Sequence, residues 1–107
     1  GHPRAAGSFP RLLAQFVRTG KLSLYEAVRM MTAMPADKLG LSNKGSLQVG
    51  ADADVVIFDP DRVRDHATFD QPTSPGEGID YVFIGGELAA RDCRVVRGDL
   101  GRSVRKL

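Results

Sequence analysis

Two histidines, one cysteine and four closely spaced aspartates are the side chains of this sequence with the most obvious chemical potential. His2 and His66 stand far apart in the chain, and they do not make the paired Cys/His spacing of a structural zinc site. Cys93 has no helix N-terminus near it to lower its pKa, so it reads as a small hydrophobe or an incidental thiol rather than a nucleophile. Asp52, Asp54, Asp59 and Asp61 bracket one short apolar run. As calcium ligands they lack the glycine at the sixth position and the glutamate at the twelfth that an EF-hand loop needs. The expectation is that they cap turns at either end of a strand. No phosphate-binding P-loop, no G-x-G-x-x-G and no nucleophile elbow is present. Read from its residues alone, the chain shows no catalytic centre and no metal-ligand set.

The elements that would position these groups fall into two halves. Residues 9–19 predict a helix, because Leu12, Leu13, Phe16 and Val17 follow a 3.6-residue period. Pro10 is tolerated in its first turn and Gly20 stops it. Ser23-Leu24-Tyr25-Glu26 is a capping box that opens a second helix, with Leu24, Val28 and Met31 on one face. Pro35 is expected to end that helix and open a short turn closed by Gly40. Beyond Gly45 the pattern turns to strands. Residues 53–58 (ADVVIF) predict a strand with both faces covered, and 79–84 a second strand. Gly85-Gly86 predicts a two-residue turn of the kind that needs positive φ at both central positions. Residues 87–90 return as a third strand, Arg91-Asp92 turns the chain again, and 94–97 form a weaker fourth. Residues 60–78 read as a long loop and the last ten residues as extended or frayed. The fold class is α+β, with residues 1–40 helical and residues 41–107 an antiparallel β unit.

Composition limits what such a chain does. Of 107 residues, 42% are hydrophobic and 26% charged, which is ordinary for a globular domain. The length is below the roughly 200 residues that a complete (β/α)8 barrel takes. No run of 18 apolar residues crosses a membrane, and the first residues show no signal-peptide core. A single cysteine makes no internal disulfide, and the expected compartment is the cytoplasm. The first fifty residues hold seven Lys/Arg against Glu26 and Asp37, whereas the remainder is acidic. The basic residues are expected on solvated helix faces rather than on nucleic acid, since no aromatic residues interleave with them. Three or four strands leave two open edges, and an isolated sheet of that size is marginal. The chain therefore reads as part of something larger, or as a homo-oligomer that pairs with a second copy of itself.

One resemblance goes further. The stretch MTAMPADKLGLSNKGSLQVGADADVVIFDP, residues 31–60, resembles the C-terminal signature of the amidohydrolase superfamily. The matching features are Pro35-Ala36, Leu39-Gly40-Leu41, Lys44-Gly45, Leu47, Gly50 and the run from Ala53 to Asp59. IDYVFIGGELAARD (79–92) resembles the closing hairpin of that family. HPRAAGSFPRLLAQFVR (2–18) and HATFDQPTSPGEGID (66–80) are similar to the N-acyl-D-amino-acid deacylases, or D-aminoacylases. D-hydantoinases and dihydroorotases are the neighbouring groups. The resemblance implies the C-terminal part of a metal-binding (β/α)8 barrel plus β-sandwich enzyme. Residues 1–40 would then be the end of the barrel, and 41–107 a share of the sandwich. It implies zinc in the parent enzyme and no cofactor in this chain, because the family's ligands would precede His2. It implies hydrolysis of N-acyl-D-amino acids, with the missing barrel portion as partner. It also implies one substrate-binding residue: Arg4, in His-Pro-Arg-x-x-Gly, would grip a carboxylate through its guanidinium. The alternative is a stand-alone binding or assembly module built on the same fold, without catalysis.

Overall fold

The computed structural model describes residues 9–64 and 76–104. Arg4, His2 and His66, singled out by the sequence, lie outside these residues, as does the middle of the expected 60–78 loop.

Three helical segments come first: α1 (Leu12–Val17), α2 (Leu24–Met31) and α3 (Ala33–Leu39). The first departs from the 3.6-residue expectation, because residues 12–17 are wound as a π-helix. The Arg18 N–H accordingly bonds the Leu13 carbonyl, five residues back. The wider turn carries Phe16 further round than an α-helix would. Leu13 is buried, Leu12 and Val17 pack beside it, and Phe16 faces solvent with Lys21 above its ring. Ser23 caps α2 as expected, its Oγ accepting the Glu26 N–H at 3.1 Å. The break between α2 and α3 comes at Thr32, earlier than Pro35. Thr32 leaves helical geometry (φ −128°, ψ −78°), and its hydroxyl donates to the Val28 carbonyl at 2.7 Å. Such a back-bonded threonine bends a helix. Pro35 then sits in the first turn of α3, where its missing N–H leaves no bond unmade. Gly40, at φ 71°, ends α3. Its N–H bonds Asp37 and the Leu41 N–H bonds Ala36, the paired closure of a Schellman motif.

The second half is one antiparallel sheet in the order β1-β2-β3-β4, made by β1 (Val55–Phe58), β2 (Ile79–Ile84), β3 (Glu87–Arg91) and β4 (Arg94–Val95). The β2–β3 hairpin turns at Gly85-Gly86 with φ of 58° and 83°, as the sequence predicts. The β3–β4 turn lies one residue later than expected, at Asp92-Cys93 with φ of 51° and 62°. Pairing Arg91 with Arg94 dictates that placement. The fourth strand is only two residues long. The N–H groups of Val96 and Arg97 both bond the Ala89 carbonyl, so the chain leaves the ladder there. β1 is also shorter than expected, and its faces are not both covered: Val56 and Ile57 are half-exposed. The strand forms one edge of the sheet.

The ends of the 60–78 segment are structured. Asp59 to Val63 make a turn, and Arg64 and Glu77 form an antiparallel bridge reinforced by their side chains. Val63 is fully buried with Leu13 and Ala27, and Phe58, Ile79 and Met31 pack around them. The Arg18 guanidinium donates to the Val63 carbonyl, tying α1 to this turn. The helices and the sheet therefore meet at Val63.

The hairpin gives the first test. Gly86→Val should lower stability by about 1–2 kcal/mol, because a β-branched side chain resists φ near +80°. A built Cβ meets only the Ala53 methyl, at 3.8 Å, so the backbone alone carries the effect. A thermal melt unchanged from the parent would exclude this turn.

Candidate functional site

The chemistry of the described residues gathers at the hairpin end of the sheet, around a lysine that the sequence reading did not single out for its charge. Gly45 (φ 79°) passes under α3 so closely that an added Cβ would stand 2.8 Å from both the Ala36 Cβ and the Thr32 carbonyl oxygen. That approach fixes the start of the 45–54 loop and sets Lys44 beside β1. Lys44 Nζ lies 2.6 Å from Asp54 Oδ2 and 2.9 Å from Asp52 Oδ2. Asn43 also donates to Asp52, at 2.9 Å. Asp54 Oδ1 accepts the Gly85 N–H at 2.9 Å, so one carboxylate holds both the lysine and the β2–β3 turn. At the far end of β1, Asp59 Oδ1 accepts the Asp61 N–H at 2.9 Å. Asp54 and Asp59 thus cap turns at the two ends of β1 as expected, whereas the Asp52 side chain pairs with Lys44 and Asn43 instead.

Beside this cluster runs an open groove of about 570 Å³ along β1 and the hairpin. Val55, Val56, Val82 and Ile84 form one wall, and Leu100 and Val104 of the C-terminal segment form the other. That segment is held by Arg97, whose guanidinium bonds both Asp99 oxygens, at 3.1 and 3.0 Å, and Glu87 at 3.1 Å.

The electrostatics mark the cluster as a lock. Hydrogen bonds that the Lys44 ammonium donates to Asp54 and Asp52 raise its pKa. The bond from Lys44, then that from Gly85, lowers the Asp54 pKa. Lys44 is held as the ammonium, whereas a lysine nucleophile needs the free amine, and a carboxylate with a lowered pKa is a weaker base. For Asp54 the depressed pKa means stability present above the unfolded value near 3.9 and lost as pH falls through the lower folded value. For Lys44 the raised pKa means stability present below about 10.4 and lost above the folded value. The partly exposed pair is worth about 0.5–1 kcal/mol after solvent screening. Asp54→Asn should therefore lower the urea midpoint slightly at pH 6, with the difference vanishing as the pH drops below the folded pKa. An equal deficit at the acid extreme would show that charge is not the cause.

Among the described residues, no three His, Cys, Asp or Glu side chains are grouped to hold a metal ion. Asp52 and Asp54 are already taken by Lys44. Cys93 sits in its turn with Sγ 3.8 Å from the Ile79 carbonyl oxygen. These residues do not fit a zinc centre. Nor is any described helix long and apolar enough to cross a membrane.

Comparison with known proteins places this arrangement. The amidohydrolase family profile matches residues 4–90. Over 86 residues the chain is 51% identical to the N-acyl-D-glutamate deacylase of Alcaligenes xylosoxydans xylosoxydans, a match covering 79% of this chain and 18% of that enzyme. Among solved structures it is similar to a D-aminoacylase (TM-score 0.88, 41% identity), covering 94% of this chain and 22% of the other. It is also similar to the N-acyl-D-glutamate deacylase of Bordetella bronchiseptica solved with zinc and a phosphonate inhibitor (TM-score 0.79, 45% identity), covering 88% and 21%. Dihydroorotases and an L-hydantoinase are more distant relatives. The chain spans about a fifth of the length of the deacylases it matches. Its helices and antiparallel sheet are a portion of their fold, and the chain belongs to the amidohydrolase family.

Proposed function

We propose that this chain works as part of an N-acyl-D-amino-acid deacylase, an enzyme that hydrolyses the amide of an N-acyl-D-amino acid to a carboxylate and a free D-amino acid. The observation that carries this reading is the 51% identity to an N-acyl-D-glutamate deacylase. The core supports it. Among the described residues only Leu13, Ala27, Ala36, Val63 and Ala89 are buried hydrophobics, while fifteen large apolar side chains stay exposed. A self-sufficient domain of this length buries roughly two-thirds of its unfolded surface, so this one is built to be covered.

In this reading residues 1–40 close a barrel and residues 41–107 supply part of a β-sandwich. The Lys44–Asp54–Gly85 lock holds the sandwich hairpin in register. In this reading, as the family resemblance implies, the reacting groups and the zinc lie in the rest of a longer polypeptide. Arg4 contributes from this chain by taking the substrate carboxylate in a two-pronged hydrogen bond.

Grafting tests this. In the Alcaligenes N-acyl-D-glutamate deacylase, the matching 86 residues are replaced by those of this chain. The chimera should release amine from N-acetyl-D-glutamate within about tenfold of the parent. The 107-residue chain alone, supplied with zinc, should release none. A chimera that folds and loads zinc but does not turn over substrate would refute the proposal.

A further inference from the structure

The C-terminal segment meets the sheet through one polar root. It leaves the ladder at Ala89, whose carbonyl takes the Val96 and Arg97 N–H groups at 2.8 and 3.1 Å. β4 is the outer strand at one edge of the sheet and β1 the outer strand at the other. Leu100, Arg102 and Val104 nevertheless line the same groove as Val56 of β1. The segment therefore crosses the sheet from edge to edge, at the end marked by Gly85 and Glu87. Val56 and Val82 are cross-strand partners, and Ile84 follows Val82 on the same face. What the segment crosses is an apolar face.

Nothing bonds the crossing itself. Among the described residues, no hydrogen bond or ion pair joins Gly98 or residues 100–104 to the sheet. Gly101 has open space around a built Cβ, and Val104 stays 51% exposed although it lines the groove. The segment stands off the face, with the groove between them. Its hold is at the root. The Arg97 guanidinium forks onto both Asp99 oxygens, closing a small ring around Gly98, and reaches Glu87 of β3 at 3.1 Å. That fork sets the direction in which the chain leaves β4. After Lys44 and Gly85, the Arg102 charge also helps lower the Asp54 pKa, so attraction draws the segment toward β1. Two apolar walls facing each other across water gain by closing.

We propose that residues 98–104 are a latched strap that closes over the apolar face of β1 and β2, with Arg97 as the latch. While the fork holds Asp99 and Glu87, the strap is aimed across the face, and Leu100 and Val104 close down on Val56 and Val82. When the fork opens, the strap swings away and bares that face. A loop laid over an outer strand is one way in which a sheet is kept from pairing with another chain. This cover is releasable, because its ion pairs are exposed to solvent and screened by salt. The strap belongs to the chain's own fold and does not depend on the deacylase reading.

A nitroxide attached at Ser103→Cys, in a Cys93→Ser background, reads the strap through the NMR spectrum of the 107-residue chain. Ser103 is exposed and does not line the groove, so the label leaves Leu100 and Val104 in place. At low salt the label should broaden the amides of Val56 and Val82. Arg97→Gln should relieve that broadening at least threefold, with the amide shifts of β2 and β3 unchanged. Sodium chloride at about 0.5 M should relieve it in the parent, since the Debye length falls to a few ångströms. A parent whose Val56 and Val82 amides stay sharp would place the strap elsewhere and overturn the proposal. Equal broadening in the parent and in Arg97→Gln would show that Arg97 is no latch and would overturn it as well. Should Arg97→Gln lose the sheet's own amide pattern, Asp99→Asn decides, because it weakens the fork and leaves Glu87 paired. Relief of the broadening in that variant supports the latch, and full broadening refutes it.

Discussion

Gly78→Ala is expected to abolish the cooperative melt of this chain. Gly78 stands at φ 85°, where an alanine is already strained, and its Cα faces backbone rather than side chain. An added Cβ would lie 2.4 Å from both the Cα and the N of Val63, and 2.6 Å from the carbonyl carbon of Arg62. No rotamer change relieves a clash with backbone. The turn 59–63 would have to move away from β2, and with it the Asp59 N–H that bonds the Gly78 carbonyl at 2.9 Å. Overpacking and backbone strain together come to about 3–4 kcal/mol, a large fraction of a small domain's stability. Gly50→Ala is the matched comparison. Gly50 has a similar φ of 91° with nothing within 4 Å of a built Cβ, so it should cost about 1 kcal/mol. Thermal melts followed by circular dichroism rank the two. A Gly78→Ala protein that melts with Gly50→Ala would mean that the turn does not pack against β2 as described.

Val63→Ala is expected to have the second-largest effect. Val63 is the largest fully buried side chain among the described residues. It touches the helical half through Leu13 and Ala27 and is surrounded by Phe58 and Ile79 of the sheet. Removing two methyl groups there opens a cavity with few side chains able to collapse into it, for about 2–3 kcal/mol. Because Val63 joins the two halves, the loss should appear in both together. Helical ellipticity and, in a Tyr25→Phe background, the fluorescence of Tyr81 in β2 should fall in one transition at a lower temperature. Two separated transitions would show that the helices and the sheet fold independently, and that Val63 is not their joint.

Much of this fold was legible in the chain. The β2–β3 hairpin was readable residue by residue, because two consecutive glycines after a β-branched run admit few other backbones. Ser23 and Gly40 marked helix ends for an equally local reason: a hydroxyl reaches an amide three residues on, and a glycine accepts a left-handed φ. The turn-capping role of Asp59 was readable for the same cause, since it bonds an amide two residues away. The misread elements were decided by longer-range contacts. The wide winding of α1 leaves no mark in a hydrophobic period that an α-helix would also satisfy. The last turn moved to Asp92-Cys93 because strand pairing placed Arg91 opposite Arg94, and no residue preference announces that register. Val63 lay within what reads as a polar loop, and nothing adjacent in sequence says that it becomes the centre of the core.

The candidate site divides in the same way. Local chemistry follows from neighbouring residues: which of them turn the chain, which cap it, and the pattern that resembles an amidohydrolase C-terminus. It took the folded chain to bring Lys44 onto Asp52 and Asp54, eight and ten residues later, and Asp54 onto the Gly85 amide thirty-one residues on. Charges seek partners through space rather than along the chain, so their pairing is settled by how the loop, β1 and the hairpin converge. The exposure of Val56 and Ile57 was decided there too. An apolar run reads the same whether its cover is present or absent, and only the packing around β1 shows that both Val56 and Ile57 stay half-exposed.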